Sequence, residues 1–185
     1  LTTKVTAYTD GATERVNPGN GGYGVVFLIE KDDIVHIKEV AAYFPLMFEV
    51  KEKKDIELLL KGKKRKPTMK DGKWYVETTN NRMEIGGIIE AMSRIKKPEN
   101  CDLTVVSDSQ WAINMAKGEW TAKENQDLVV RARLLTNKFN SISFEWVRGH
   151  QGNRWNEHCD KLATFVIKRK PIEPYVRVSQ EKIIK

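Results

Sequence analysis

Only two cysteines, Cys101 and Cys159, occur in 185 residues. That is too few for a disulfide framework, and their spacing matches no metal knuckle, so a reducing compartment is the expectation. No stretch approaches the roughly 18 consecutive apolar residues of a membrane span, and residues 1–10 lack the basic-then-apolar pattern of a signal segment. A membrane anchor is therefore not expected, and a cytoplasmic location is. With 12 Gly and 6 Pro the chain is neither collagenous nor of low complexity, and it shows no internal repeat. Acidic residues are in deficit, 25 Asp plus Glu against 32 Lys plus Arg, for a net charge of +7. This favours a polyanionic partner, either nucleic acid or an anionic membrane surface. A hydrophobic content of 40% suits one globular domain with an appendage, and a monomer is the default expectation.

Apolar, β-branched runs at 4–9, 22–30, 34–44, 102–107 and 142–147 predict five strands. The first ends in the turn signal Asp10-Gly11, and the break at Lys31-Asp32-Asp33 predicts a hairpin between the second and third. Helical spacing appears over 80–96, 110–116, 125–138 and 154–168, with Pro98 as a stop after the first of these. Three strands followed by a mixture of helices and strands predict an α/β fold, a five-stranded mixed sheet with helices on both faces. The paired glycines Gly86-Gly87 inside the first helix are read as close helix-to-sheet packing.

Two segments stand outside this core. Residues 49–73 begin with a helix-like stretch and pass into Lys61-Gly62-Lys63-Lys64-Arg65-Lys66. Asp71-Gly72 then gives a type I′ hairpin signal between 67–70 and 73–77. From 61 to 73 seven positive residues face the single Asp71, which leaves either a solvated excursion or a nucleic-acid contact. The second segment, 171–185, contains Pro171 and Pro174 and is expected to be an extension with no assigned function.

Four acidic residues occupy positions that chemistry would choose. Asp10 and Asp108 end the first and fourth strands, while Glu84 and Asp160 lie in helices. If those two strands are parallel neighbours, their carboxyl ends meet where open α/β sheets bind ligands. Clustered carboxylates repel and resist desolvation, so such a site calls for hard cations, Mg²⁺ or Mn²⁺ rather than zinc. Two such ions about 4 Å apart clamp the attacking and leaving oxygens of a phosphodiester. Each carboxylate also has a plainer use: Asp10 in a turn, Asp108 as a helix N-cap, Glu84 and Asp160 as surface helix residues.

The strings Tyr8-Thr9-Asp10-Gly11, Asn17-Pro18-Gly19, Gly21-Gly22-Tyr23-Gly24, Thr78-Thr79-Asn80-Asn81-Arg82-Met83-Glu84, Ser107-Asp108-Ser109-Gln110, Glu145-Trp146-Val147-Arg148-Gly149-His150 and Asn156-Glu157-His158-Cys159-Asp160 follow one another in this order. Together they resemble the successive motifs of type 1 ribonuclease H, from residue 4 to about residue 167. The resemblance implies a ribonuclease H-like fold over 1–170, with an insertion at about 45–75 and a C-terminal extension at 171–185. It also implies an endonuclease that hydrolyses the RNA strand of RNA/DNA hybrids and leaves 5′-phosphate and 3′-hydroxyl ends.

Carried over position by position, Asp10, Glu84, Asp108 and Asp160 would hold two Mg²⁺, with Mn²⁺ as a substitute, and Asp10 would bridge both. His150 matches the family histidine that manages a proton or helps product leave, a role suited to imidazole. Glu157 matches a supporting acid three positions from Asp160. Asn17, Asn80 and Gln110 match residues that touch 2′-hydroxyls across the minor groove, and Thr79 stands with Asn17 beside a DNA-phosphate pocket; Thr79 and Asn80 would serve equally as helix caps. Compared with the familiar bacterial form, the Asp10 to Asn17 loop is one residue longer. Lys117-Gly118-Glu119-Trp120-Thr121 stands where some members carry a long basic protrusion, and the basic 45–75 segment is expected to substitute for it. A pure binding module is disfavoured because all four acidic positions are filled. A resolvase, or a domain detached from a reverse transcriptase, is disfavoured because the motifs begin near residue 4 with nothing polymerase-like before them.

Overall fold

The computed structural model describes residues 2–183; Leu1, Ile184 and Lys185, the last two within the expected extension, lie outside the described residues. Three long strands open the chain: β1 (Thr3–Thr13), β2 (Gly21–Lys31) and β3 (Ile34–Phe44). A small unit follows, made of β4 (Met47–Val50), α1 (Lys53–Leu60), β5 (Thr68–Lys70) and β6 (Lys73–Glu77). The remainder runs α2 (Asn80–Ser93), β7 (Cys101–Ser107), α3 (Gln110–Lys117), α4 (Gln126–Thr136), β8 (Ser141–Trp146), α5 (Arg154–Arg169) and β9 (Tyr175–Lys182).

The main sheet has the order β8-β7-β1-β2-β3-β9. Strands β1, β2 and β3 form an antiparallel meander, and β7 and β8 join β1 in parallel. Between β2 and β3, Asp32 and Asp33 both take positive φ, 50° and 59°, the left-handed pair that matches the twist of a hairpin.

Among the described residues the sheet therefore has six strands and not the expected five. β9 pairs antiparallel with β3 from Ile34↔Lys182 to Ala41↔Tyr175. Its opening Tyr175-Val176-Arg177-Val178 is strand-forming, but Val176 and Val178 are 47% and 73% exposed, so no buried stripe forms. The open hydrogen-bonding edge of β3 supplies the drive for pairing, and β9 covers it.

Helices α2, α3 and α4 pack on one face of the sheet and α5 on the other. Alternation along the strands feeds two cores: Val25 and Phe27 enter the first, while Val26, between them, enters the second. This two-sided burial explains why β2 reads as one continuous apolar run. On α2, Ile85, Ile88 and Met92 are essentially without exposure, each contributing about 1.5–3 kcal/mol. Gly86 and Gly87 cost about 1 kcal/mol apiece in helix propensity. Gly86 lets α2 sit close against Tyr23, which an added Cβ would meet at 3.2 Å, whereas a Cβ on Gly87 would make only ordinary contact with Thr9 at 3.4 Å.

The small unit has its own three-stranded sheet, β4-β6-β5, and a modest core of Val50, Leu59 and Val76. Its hairpin turns at Asp71 and Gly72 with φ of 50° and 75°, as the type I′ signal requires. Its neck is closed where Thr78 N donates to Leu46 O at 2.7 Å and Thr78 Oγ1 to Pro45 O at 2.6 Å. An ion pair between Asp55 and Arg131, 2.8 Å, ties α1 to α4.

Candidate active site

Parallel pairing of β1 with β7 runs to Thr9↔Ser107. One residue further along each strand stand Asp10 and Asp108, so the two carboxylates meet at the carboxyl edge of the parallel part of the sheet. Asp10-Gly11 is not a turn: β1 continues to Thr13, paired with β2. The glycine serves a close approach instead. A Cβ on Gly11 would stand 2.3 Å from the Met83 carbonyl carbon and 2.4 Å from Glu84 N, so its absence brings Glu84 on α2 alongside Asp10. Gly24, in register with Asp10 on β2, does the same on the other face, where a Cβ would lie 2.3 Å from Cys159 O. That closeness seats α5 on the sheet and delivers Asp160.

The cluster is electrostatically uncompensated. Burial, then the charges of Asp108, Asp160 and Glu84, push the Asp10 carboxyl up to about 8, although Gly11 N–H donates to Asp10 Oδ1 at 2.8 Å. Burial and Asp108 also raise Glu84, against the hydrogen bond it accepts from Ser109 Oγ at 2.6 Å. Burial raises Asp108 too, opposed by its own backbone N–H, by His150 and by Asn156. The Asn156 Nδ2 is buried and short of full hydrogen-bond geometry with any acceptor, close enough to Asp108 to favour its ionised form. Among the described residues no three acidic, His or Cys side chains are already drawn into a group that could hold a metal ion. The donor set nonetheless suits hard divalent cations, being all carboxylate oxygen and mutually repulsive.

Ser109 is the site residue that the sequence reading left without a role. It caps α3 by accepting from Ala112 N at 3.2 Å, the position offered above to Asp108, and its hydroxyl hydrogen then points to Glu84. A serine directly before a helix is a recognisable N-cap signal; its partner on α2 is a tertiary fact. Trp146 Nε1 donates to Asp108 O at 2.9 Å, bracing the end of β7 from β8.

His150 is exposed, at φ 54°, in the loop between β8 and α5. That loop touches the cluster at Gly149, where a Cβ would lie 2.5 Å from Asp108 Oδ2. Glu157 sits on the first turn of α5 and accepts from Gly152 N at 2.9 Å, so its carboxylate fastens the histidine loop to the helix that carries Asp160.

On the rim, Asn80 binds the end of β1 and the loop after it: its N–H donates to Asn17 Oδ1 at 3.2 Å, and its Oδ1 accepts from Thr13 N at 3.0 Å and Thr13 Oγ1 at 3.3 Å. Thr79 is only 6% exposed and caps α2, accepting from Arg82 N. Gln110 is the exposed first residue of α3. Beneath the rim, Arg82 makes a buried bidentate pair with Asp127, 3.0 Å and 2.7 Å, and reaches Asn125 Oδ1 at 3.3 Å. This pair pins the start of α2 to α4.

A mixed sheet with a carboxylate-lined crevice at the end of its parallel strands defines the ribonuclease H-like class of α/β proteins. Residues 2–168 match the family model described as RNase H, and the chain belongs to the ribonuclease H family of hydrolases. It is 32% identical over 180 residues to ribonuclease H of Desulforamulus reducens, covering 90% of this chain and 89% of that one. Over 121 residues it is 38% identical to ribonuclease HI of Haemophilus influenzae, covering 58% and 75%. Among solved structures, LC9-RNase H1, described as a type 1 RNase H with the type 2 active-site motif, superposes with a TM-score of 0.66 at 22% identity over 92% of this chain and 75% of that one. LC11-RNase H1, solved in complex with an RNA/DNA hybrid, gives 0.60 at 22% identity over 90% and 98%. Both structural likenesses speak to the fold.

Proposed function

We propose that this chain is an endonuclease that hydrolyses the RNA strand of RNA/DNA hybrids by a two-metal-ion mechanism, leaving 5′-phosphate and 3′-hydroxyl ends. The observation that carries this reading is the meeting of Asp10, Glu84, Asp108 and Asp160 from four separate elements at one sheet edge, with charges that raise one another's affinity for positive charge. The neighbour that binds an RNA/DNA hybrid supports the choice of substrate. In this reading the catalytic unit spans 1–170, with an insertion at about 45–75, and 171–185 is an extension that contributes β9. The protein works as a monomer in the cytoplasm.

The four carboxylates would hold two Mg²⁺, with Mn²⁺ as a substitute. When bound, the ions supply charge to activate water and to neutralise the phosphodiester oxygens. The protein's own contribution is positional. Asp10, buried and within reach of the charges of the other three, would be a ligand in holding the ions, and Ser109 sets the rotation of the Glu84 carboxylate. Glu157 holds the loop from which His150, near Asp108, would move a proton or help release the product. Asn17, Asn80 and Gln110 would present amide groups to 2′-hydroxyls along the minor groove. Thr79, buried as a cap, would act at the DNA-phosphate pocket through the backbone that it orders.

The test is cleavage of one end-labelled RNA strand offered as RNA/DNA hybrid, RNA/RNA duplex and single strand, with Mg²⁺, Mn²⁺ or EDTA. Metal-dependent cutting confined to the hybrid is the expected result. Cutting of duplex RNA instead would keep the site and overturn the specificity, and absence of cutting by a folded, hybrid-binding protein would leave a binding module.

A further inference from the structure

Four consecutive cations, Lys63, Lys64, Arg65 and Lys66, lie exposed between buried Gly62 and Pro67. A solvated basic loop has no need of a fixed shape, and like charges in sequence resist one. This loop is nevertheless held. The Glu124 carboxylate, on the linker between α3 and α4, accepts from three successive backbone N–H groups, those of Lys63 at 2.8 Å, Lys64 at 2.7 Å and Arg65 at 3.2 Å. The clamp uses the backbone and leaves most of the cationic heads available. Arg65 pairs with Glu77, whereas among the described residues Lys61, Lys63, Lys66 and Lys70 form no ion pair.

The clamp also fixes where the loop lies. Lys123, Glu124 and Asn125 share one concavity with Asn81 and Trp111. Asn81 belongs to the first turn of α2, one turn before Glu84, and Trp111 to the first turn of α3, two residues after Ser109. Through Glu124 the basic loop is therefore fastened beside the concavity that reaches the two helix starts that carry crevice residues.

Resting on the hybrid-cleaving reading above, we propose that the 61–66 loop, clamped by Glu124, is a second phosphate-binding site that grips the hybrid outside the crevice and contributes affinity without chemistry. The experiment measures steady-state cleavage and the salt dependence of hybrid binding for wild type, for Lys63→Ser/Lys64→Ser/Lys66→Ser and for Glu124→Ala, with thermal melts to verify folding. The triple variant is expected to raise KM about 10-fold at 0.1 M salt and to flatten the slope of log K against log salt by up to about 2.7, near 0.9 for each of three lost phosphate contacts, with kcat at saturation unchanged. Glu124→Ala discriminates further, because removing an anion from a purely electrostatic patch would tighten binding, whereas losing the clamp weakens it about 3-fold. Unchanged KM and slope in the triple variant, a loss confined to kcat, or tighter binding by Glu124→Ala would each overturn the proposal. Failure of the wild type to bind or cut the hybrid would instead overturn the substrate reading, and this inference with it.

Discussion

The carboxylates of the crevice come from positions 10, 84, 108 and 160, on β1, α2, the end of β7 and α5, whereas the cations of the small unit follow one another within 61–73. The first group is assembled by the fold at a cost: burial and mutual repulsion raise the affinity of Asp10 for a proton until its carboxyl titrates near 8. The second is assembled by the chain and stays in water, where its charges are screened and its repulsion is small. Tertiary structure is needed to force like charges together out of solvent, and a region under such force is one built to receive opposite charge. Substitutions in the crevice should therefore change chemistry and stability, and those in the basic loop should change affinity alone.

The largest effect tests the first half of that contrast. Asp10→Asn is expected to slow hybrid cleavage by at least about 10³-fold, roughly 4 kcal/mol, in an end-label assay. A rate within about 10-fold of wild type would place the chemistry elsewhere. Next in size, Arg82→Ala leaves Asp127 buried without its partner and should destabilise the protein by about 3–5 kcal/mol, read from urea unfolding. A smaller loss would mean that α2 does not depend on α4 for its placement.

The pH response carries the sign of the contrast. Because the folded protein holds the Asp10 proton up to about 8, while an unfolded Asp releases it near 3.9, this group stabilises the fold at low pH. That contribution is lost as pH rises through 8. In EDTA the melting temperature should fall between pH 5 and pH 9, and Asp10→Asn, which cannot ionise, should be more stable than wild type at pH 9 by about 2–4 kcal/mol. Adding Mg²⁺ should restore the wild type and move the variant less; equal pH profiles for the two proteins would show that Asp10 is not the strained group. The smallest effect sharpens the picture within the crevice. Ser109→Ala should lower kcat about 10-fold by freeing Glu84 and cost about 1 kcal/mol as a lost cap, and Ser109→Thr should recover both.

Motif strings in the ribonuclease H order named the four carboxylates, His150 and Glu157 as candidates before any coordinates, and apolar β-branched runs with the break at Lys31-Asp32-Asp33 made the meander legible. What stayed hidden had no decisive local signature. β9 lacks a buried stripe, because its stability comes from the edge of β3. Gly11 looked like a turn because a glycine kept small for a helix backbone reads the same as one kept small for a positive φ. Ser109 could be recognised as a cap but not as the donor to Glu84, and Glu124 was one acid among 25 Asp and Glu until the backbone of a loop some 60 positions earlier folded onto it.

By itself, then, the sequence determined which residues could act and the local elements that hold them: the apolar β-branched runs, the capped helices, the Asp71-Gly72 hairpin and the local excess of positive charge. Only the tertiary structure decided which groups face one another, through the parallel pairing of β1 with β7, the close approaches at Gly11 and Gly24, and the clamp of Glu124. The reason is physical. Local patterns follow from backbone geometry and from burial along a few residues, whereas a charged crevice forms only when packing elsewhere outweighs the desolvation and repulsion of the groups that it brings together.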